Sequence, residues 1–218
     1  DKAYSQNSET NFYLDKLNVR NIKSIGNLKF IENDNFKTDK ADKKIFSQFK
    51  KYKTFIAAST HESEELFAAR THILLNKKNK KIITIIIPRH INRVGQIISE
   101  ISELGLKVVT RSSNKVELKD IDIFIVDTFG ETEKFYKFAT TVFLGKSIVK
   151  GGGQNPLEPA RFGAKILHGP GVSNFKDVYK MLEKEKLSLK VSSSKDLEKK
   201  ALNLFKNKKK NSSKIKKF

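Results

Sequence analysis

Three short segments hold groups suited to gripping an anion or a sugar: "PRH" (Pro88 to His90), "DTFGE" (Asp127 to Glu131) and "GGGQNPLEP" (Gly151 to Pro159). An arginine such as Arg89, set where an apolar run ends, can fork onto a phosphate or a carboxylate. In the third segment the glycines let the backbone approach a ligand closely. Asn155 then Pro156 spells a helix start, with asparagine as N-cap and proline at the first helical position. Free N–H groups at such a start, together with the glycines, can hold a phosphate. Glu158 could accept hydrogen bonds from a ribose diol, a use acids have in other nucleotide sites. In "DTFGE", Thr128, Phe129, Gly130 and Glu131 fall at a strand-to-helix turn.

Each segment also has an ordinary structural explanation. Glu158 stands three residues after Asn155, and Glu131 three after Thr128, and both are capping-box spacings. Arg89 could simply pair with a nearby acid on the surface. Spacing alone leaves both possibilities open. "STHESEE" (Ser59 to Glu65) places His61, Glu62 and Glu65 at a helix start, where a His–Glu pair is more often capping than catalysis. His72, His90 and His168 do not form a metal-ligand spacing with His61, so no metal site is expected. Neither G-x-x-x-x-G-K-[ST] nor a post-strand G-x-G-x-x-G occurs, so neither a P-loop nor an ordinary dinucleotide-binding domain is supported, and no cofactor is implied.

The elements that must carry these segments alternate. "TFIAAS", "KIITIIIP", "LKVVT", "IDIFIVDT", "TVFLG" and "AKILHG" read as buried strands, with "LSLKVS" a further candidate. Between them lie helical patterns. In "HESEELFAARTHILLNKK", Leu66, Ala69, Ile73 and Leu74 share one face, with Ser59 and Glu62 at capping-box spacing before it. "VGQIISEISELG" turns Ile97, Ile98, Ile101 and Leu104 inward. "ETEKFYKFA", "PLEPARFG", "NFKDVYKMLEKE" and "SKDLEKKALNLFKN" complete the set. The repeat predicts an α/β, Rossmann-like, doubly wound parallel sheet. Ligands of such sheets lie at the carboxyl ends of the strands, where all three segments fall.

Residues 1–53 differ. They read as a helix, a short strand and a turn, then a charged linker entering a helix from Ala41 to Tyr52. The expected division is 1–53 as the end of a preceding domain and linker, 54–191 as the ligand-binding domain, and 192–218 as a closing helix and basic tail. The chain starts at Asp1, so a piece of a longer protein is expected.

Net charge is +20 and is spread as +5, +7 and +8 over those three parts. The tail "KNKKKNSSKIKKF" has seven lysines and no acid. Such a tail can be drawn to an anionic membrane surface or to nucleic acid. No interleaved aromatics on a basic face and no nucleic-acid-binding signature accompany it, which weighs against nucleic acid. The longest apolar run, "IITIIIP", is far short of the ~20 residues that span a bilayer. With no cysteine there is no disulfide and no thiolate metal site.

Taken in order, "AASTHESEE", "IPRH", "DTFGE" and "GKSIVKGGGQNPLEPARFGAKILHGPGVSNFKD" resemble the C-terminal half of the 3-deoxy-D-manno-octulosonic acid (Kdo) transferases, glycosyltransferases of bacterial lipopolysaccharide inner-core synthesis. The resemblance covers roughly Ala3 to Lys186. It implies the C-terminal, donor-binding domain of a GT-B glycosyltransferase, with CMP-Kdo as donor and a lipid A precursor as acceptor. The implied CMP contacts are Pro88 and Arg89, then Phe129, Gly130 and Glu131, then Asn155, Pro156, Leu157 and Glu158. The acceptor surface, the membrane anchor and the proposed general base belong to the family's N-terminal domain, so no catalytic residue is expected in this chain. The implied place is the cytoplasmic face of the bacterial inner membrane, held peripherally.

The sequence departs from the family's pattern at Phe129, where methionine is usual, and at Lys146, where the family has the second of two glycines. It departs again at Gln154 in place of histidine and at Ile91 in place of proline. Two other functions stay open on sequence: a non-catalytic remnant of a split or truncated transferase, and a basic nucleic-acid-binding protein.

Overall fold

The computed structural model describes residues 2–5, 8–25, 40–78, 81–113, 117–148 and 151–206. The chain divides into two compact units, Asp1–Lys37 and Thr38–Phe218. In the first, strands β1 (Ala3–Ser5) and β2 (Ile22–Ser24) pair in parallel around helix α1 (Ser8–Lys16). "SIGNLKF" falls mostly outside the described residues, as does the lysine tail beyond Lys206.

The second unit opens with helix α2 (Lys40–Phe49) and strand β3 (Lys53–Thr60). Helix α3 (Glu64–Lys78), strand β4 (Ile82–Pro88), helix α4 (Val94–Ser102) and strand β5 (Val108–Thr110) follow. Then come strand β6 (Ile123–Ile125), helix α5 (Thr132–Tyr136), strand β7 (Thr141–Leu144) and helix α6 (Leu157–Arg161). Strand β8 (Lys165–His168), helix α7 (Lys176–Lys184), strand β9 (Ser188–Lys190) and helix α8 (Ser194–Lys206) complete it. β3 to β9 form one parallel sheet in the order β5-β6-β4-β3-β7-β8-β9.

The β-branched runs make sense in this sheet because both of its faces are covered. Ile83, Ile85 and Ile87 of β4 face a layer with α2, α5, α6 and α7, whereas Ile82 and Ile86 face α3, α4 and α8. α2, read from sequence as the end of the N-terminal piece, is packed into this unit through Ile45, Phe46 and Phe49. Phe49 meets Phe124 and Phe135 edge-on, at 5.2 and 6.0 Å between ring centroids. Full burial of one such ring contributes roughly 2–3 kcal/mol.

Two sequence expectations change. α3 does not bury a single stripe of Leu66, Ala69, Ile73 and Leu74. Its buried residues include Ala68, Ala69, Thr71, His72 and Leu75, while Leu66, Ile73 and Leu74 lie at the margin. The reason is that α4 and α8 flank α3 while the sheet covers it from below, so one-face periodicity is lost. The start of α3 is also not capped by a Ser59–Glu62 pair. It is Glu64 that reaches back, accepting the His61 N–H at 3.0 Å.

Candidate functional site

β4 and β7 flank β3 on opposite sides, so the chain reverses its direction of travel across the sheet at β3. A crevice outside the carboxyl ends of the strands at such a reversal is where open α/β sheets bind ligands. Pro88 and Arg89 end β4. Phe129, Gly130 and Glu131 follow β6, the strand beside β4. Asn155 to Glu158 follow β7. The ends of β4 and β7 are two strand spacings apart, roughly 10 Å.

The reversal is braced by a carboxylate absent from the sequence expectations. Glu64 is fully buried, and its oxygens accept backbone N–H groups from Lys146 at 2.6 Å, Ser147 at 3.0 Å, Ile148 at 3.0 Å and His61 at 3.0 Å. The end of β7 is thereby tied to the start of α3, and a backbone nest that could take an anion is filled by the protein's own acid. Gly145 allows this approach. A Cβ there would lie 2.7 Å from Glu64 Oε2 and closer still to the Ser59 carbonyl oxygen.

Glu131 is the second fixed point. Its carboxylate accepts Arg111 Nε and Nη2, both at 3.2 Å, Lys134 Nζ at 3.0 Å, and the Thr128 hydroxyl. Those donors fill the four or so acceptor positions of a carboxylate. Burial works to raise its pKa, but the hydrogen bonds from Arg111, Thr128 and Lys134 overcome it and bring it down to about 2. The capping-box spacing of Thr128 and Glu131 therefore produces a side-chain to side-chain contact. What this loop can offer a ligand is its backbone and its tip. Gly130 is left-handed with φ of 74°, and Phe129 is 79% exposed.

At the third segment the helix starts one residue later than its spacing suggested. Pro156 is the cap, with φ −82° and ψ −9°, and α6 begins at Leu157. The Asn155 side-chain oxygen accepts the Leu157 N–H at 3.1 Å, an Asx-turn geometry, and its amide nitrogen sits 3.4 Å from Glu158 Oε1. α5 and α6 lie side by side through Tyr136 and Phe162, whose ring centroids are 6.1 Å apart. Burial drives the Tyr136 pKa well up, and the Glu158 charge adds to it. The second and third segments thus share one layer.

Arg89 contrasts with Arg111. Its backbone N–H is held by the Thr60 carbonyl at 3.0 Å, but among the described residues its guanidinium has no partner, and it is exposed. Beside it, His90 meets His61 edge-on at 5.5 Å, and Arg93 reaches Glu65 Oε1 at 3.2 Å. Sequence reasoning passed over Glu64, Arg111, Lys134 and Asp42. Arg111 did carry a signal: it is the residue just after β5, at the same carboxyl edge as Arg89. Among the described residues no group of three or more acidic, histidine or cysteine side chains is arranged to hold a metal ion, and no helix is long and apolar enough to cross a membrane.

No family model matches the chain. It is 30% identical over 186 residues to a 3-deoxy-D-manno-octulosonic acid transferase of Haemophilus influenzae, covering 84% of this chain and 42% of that protein. It is 32% identical over 186 residues to the enzyme of the same name from Rickettsia bellii, covering 84% and 43%. The chain thus spans about two fifths of the length of these curated relatives. Among solved structures it resembles the C-terminal CMP-Kdo binding domain of WaaA from Acinetobacter baumannii, with a TM-score of 0.72 and 21% identity over 80% of this chain and 93% of that one. The fold is that of a GT-B glycosyltransferase C-terminal domain.

Proposed function

We propose, from the premise that the chain is a homologue of the Kdo transferases, that it binds the CMP-Kdo donor at the carboxyl edge of its sheet. The observation that carries this reading is Arg89: an exposed guanidinium without a protein partner among the described residues, beside the topological reversal, with the Glu131 and Glu158 loops to either side. In this reading Arg89 receives the phosphate, and the buried Pro88 before it fixes the strand end. The backbone of Phe129, Gly130 and Glu131 reads the cytosine, with Arg111 and Lys134 holding Glu131 in place. Asn155, Pro156, Leu157 and Glu158 take the ribose, with the Glu158 carboxylate as acceptor for its hydroxyls.

Sugar transfer needs a base for the acceptor hydroxyl and stabilisation of the leaving phosphate. Arg89 suits the second task. The base and the lipid A precursor would come with the remaining length of the relatives, and the assembled enzyme would work at the cytoplasmic face of the inner membrane. The lysines of residues 206–218 would add attraction to that anionic surface. Calorimetric titration of CMP into the chain tests the reading. Saturable binding that Arg89→Ala weakens is expected, and absence of binding at millimolar CMP overturns it.

A further inference from the structure

Lys146 has φ of 54°, in the left-handed region that L side chains avoid at a cost of roughly 1–2 kcal/mol. It cannot relax. Its N–H is held by Glu64 Oε2 at 2.6 Å, and its carbonyl accepts the Gly153 N–H at 2.8 Å. A glycine would take this conformation without strain. The charged end of the side chain returns no polar contact to the fold: among the described residues the Lys146 ammonium has no hydrogen-bond or ion-pair partner. Strain without structural return is concentrated at functional positions. Ser59 and Ser63, at φ of 53° and 71°, share this corner of the sheet.

The stem of Lys146 has a defined course. It lies against Gly151, where a Cβ would come within 2.6 Å of Lys146 Cγ and 3.2 Å of its Cε. Its charge also bears on His61, whose imidazole is kept neutral mainly by burial, with Lys146 adding to that effect. The stem thus runs beside the glycine run that precedes Asn155, and its charge is felt at His61, just past the end of β3, the strand paired with the one that leads to Arg89.

We propose that Lys146 is a phosphate-binding residue of the donor site, its ammonium neutralising the phosphate of a cytidine monophosphate group together with Arg89. The left-handed backbone is tolerated because it delivers that charge. This rests on the donor-site reading above, and the test separates the two.

Lys146→Gly removes both charge and strain, and Lys146→Gln removes the charge alone. CMP and cytidine are titrated calorimetrically into the parent chain and both variants, with thermal unfolding alongside. Both variants should weaken CMP binding about tenfold, flatten its salt dependence and leave cytidine affinity unchanged. Only Lys146→Gly should raise the Tm. Variants that bind CMP as tightly as the parent overturn the role of Lys146 and leave the donor site standing. Equal losses for cytidine and CMP overturn it too, by assigning Lys146 to loop structure. A parent chain that binds neither compound overturns both readings.

Discussion

Arg111 forks onto Glu131, its Nε and Nη2 each 3.2 Å from a different oxygen of the carboxylate. The same Nη2 reaches Asp42 Oδ1 at 2.5 Å, and Lys134 closes the figure with 2.9 Å to Asp42 and 3.0 Å to Glu131. Two cations and two carboxylates therefore alternate, joining α2, the end of β5 and the loop after β6. Networks of this kind hold only while every member is charged.

Acid should loosen that square. The Glu131 pKa is about 2 in the folded chain and near 4.5 without the fold. Because the folded value is the lower one, the stabilisation is complete above about pH 4.5 and drains away as pH falls toward 2. Urea unfolding between pH 2 and 6 should show a steeper loss for the parent than for Glu131→Gln. Parallel curves would mean that the carboxylate contributes nothing through its charge.

Glu64 should matter more for the fold than any residue in the nucleotide-facing loops. Replacing it by alanine strands the buried N–H groups of Ser147 and its neighbours, which it now satisfies. A loss of at least about 3 kcal/mol is expected, the scale for removing one partner of a buried charged set. Urea midpoints give the number. Amide exchange at residues 146–148 should accelerate, and unchanged exchange there would contradict the bracing role.

The sheet was legible because "KIITIIIP" and its companions are too apolar for a one-sided strand, and because each is followed by a helix-sized segment. The strand-end loops were legible for the same reason. What stayed hidden is non-local. Nothing near Glu64 announces that it will meet backbone 82 residues away. Asp42 sits in "KADKKIF", which reads as a solvated helix end, yet it is buried against a cation 69 residues on. The buried face of α3 was misread because periodicity assumes one covered side, and α3 has neighbours on three.

His72 should resist protonation. Its ring is buried, with Nδ1 2.9 Å from the Thr84 hydroxyl and Nε2 3.4 Å from Asp122 Oδ1. Burial lowers its pKa below 6.5, and the nearby Asp122 carboxylate only partly offsets this. The unfolded chain therefore takes up the proton first, so stability contributed here is present above about pH 6.5 and falls below it. The ring C–H signals of His72 should remain in their neutral position as the pH falls through 6.5. A His72 signal that titrates at or above pH 6.5 would contradict the burial argument.

Arg89 and Arg111 should separate binding from stability. Arg89 has no protein partner among the described residues, so Arg89→Ala should move the unfolding free energy by no more than about 0.5 kcal/mol. The same change should weaken CMP at least about tenfold, the equivalent of one lost charge-assisted contact. Arg111→Ala should behave in the opposite order. It removes one of the two cations of the square and leaves Lys134 as the cation shared by Asp42 and Glu131, a loss of up to about 3–5 kcal/mol on the scale for breaking a buried charged pair. CMP affinity should then fall only as far as the Phe129–Glu131 loop shifts. Paired urea and calorimetric titrations on the two variants give both quantities. If Arg89→Ala destabilises the chain as much as Arg111→Ala, its guanidinium belongs to the fold. If it leaves CMP binding intact, the phosphate lies elsewhere along the strand ends, with Lys146 the next position to test.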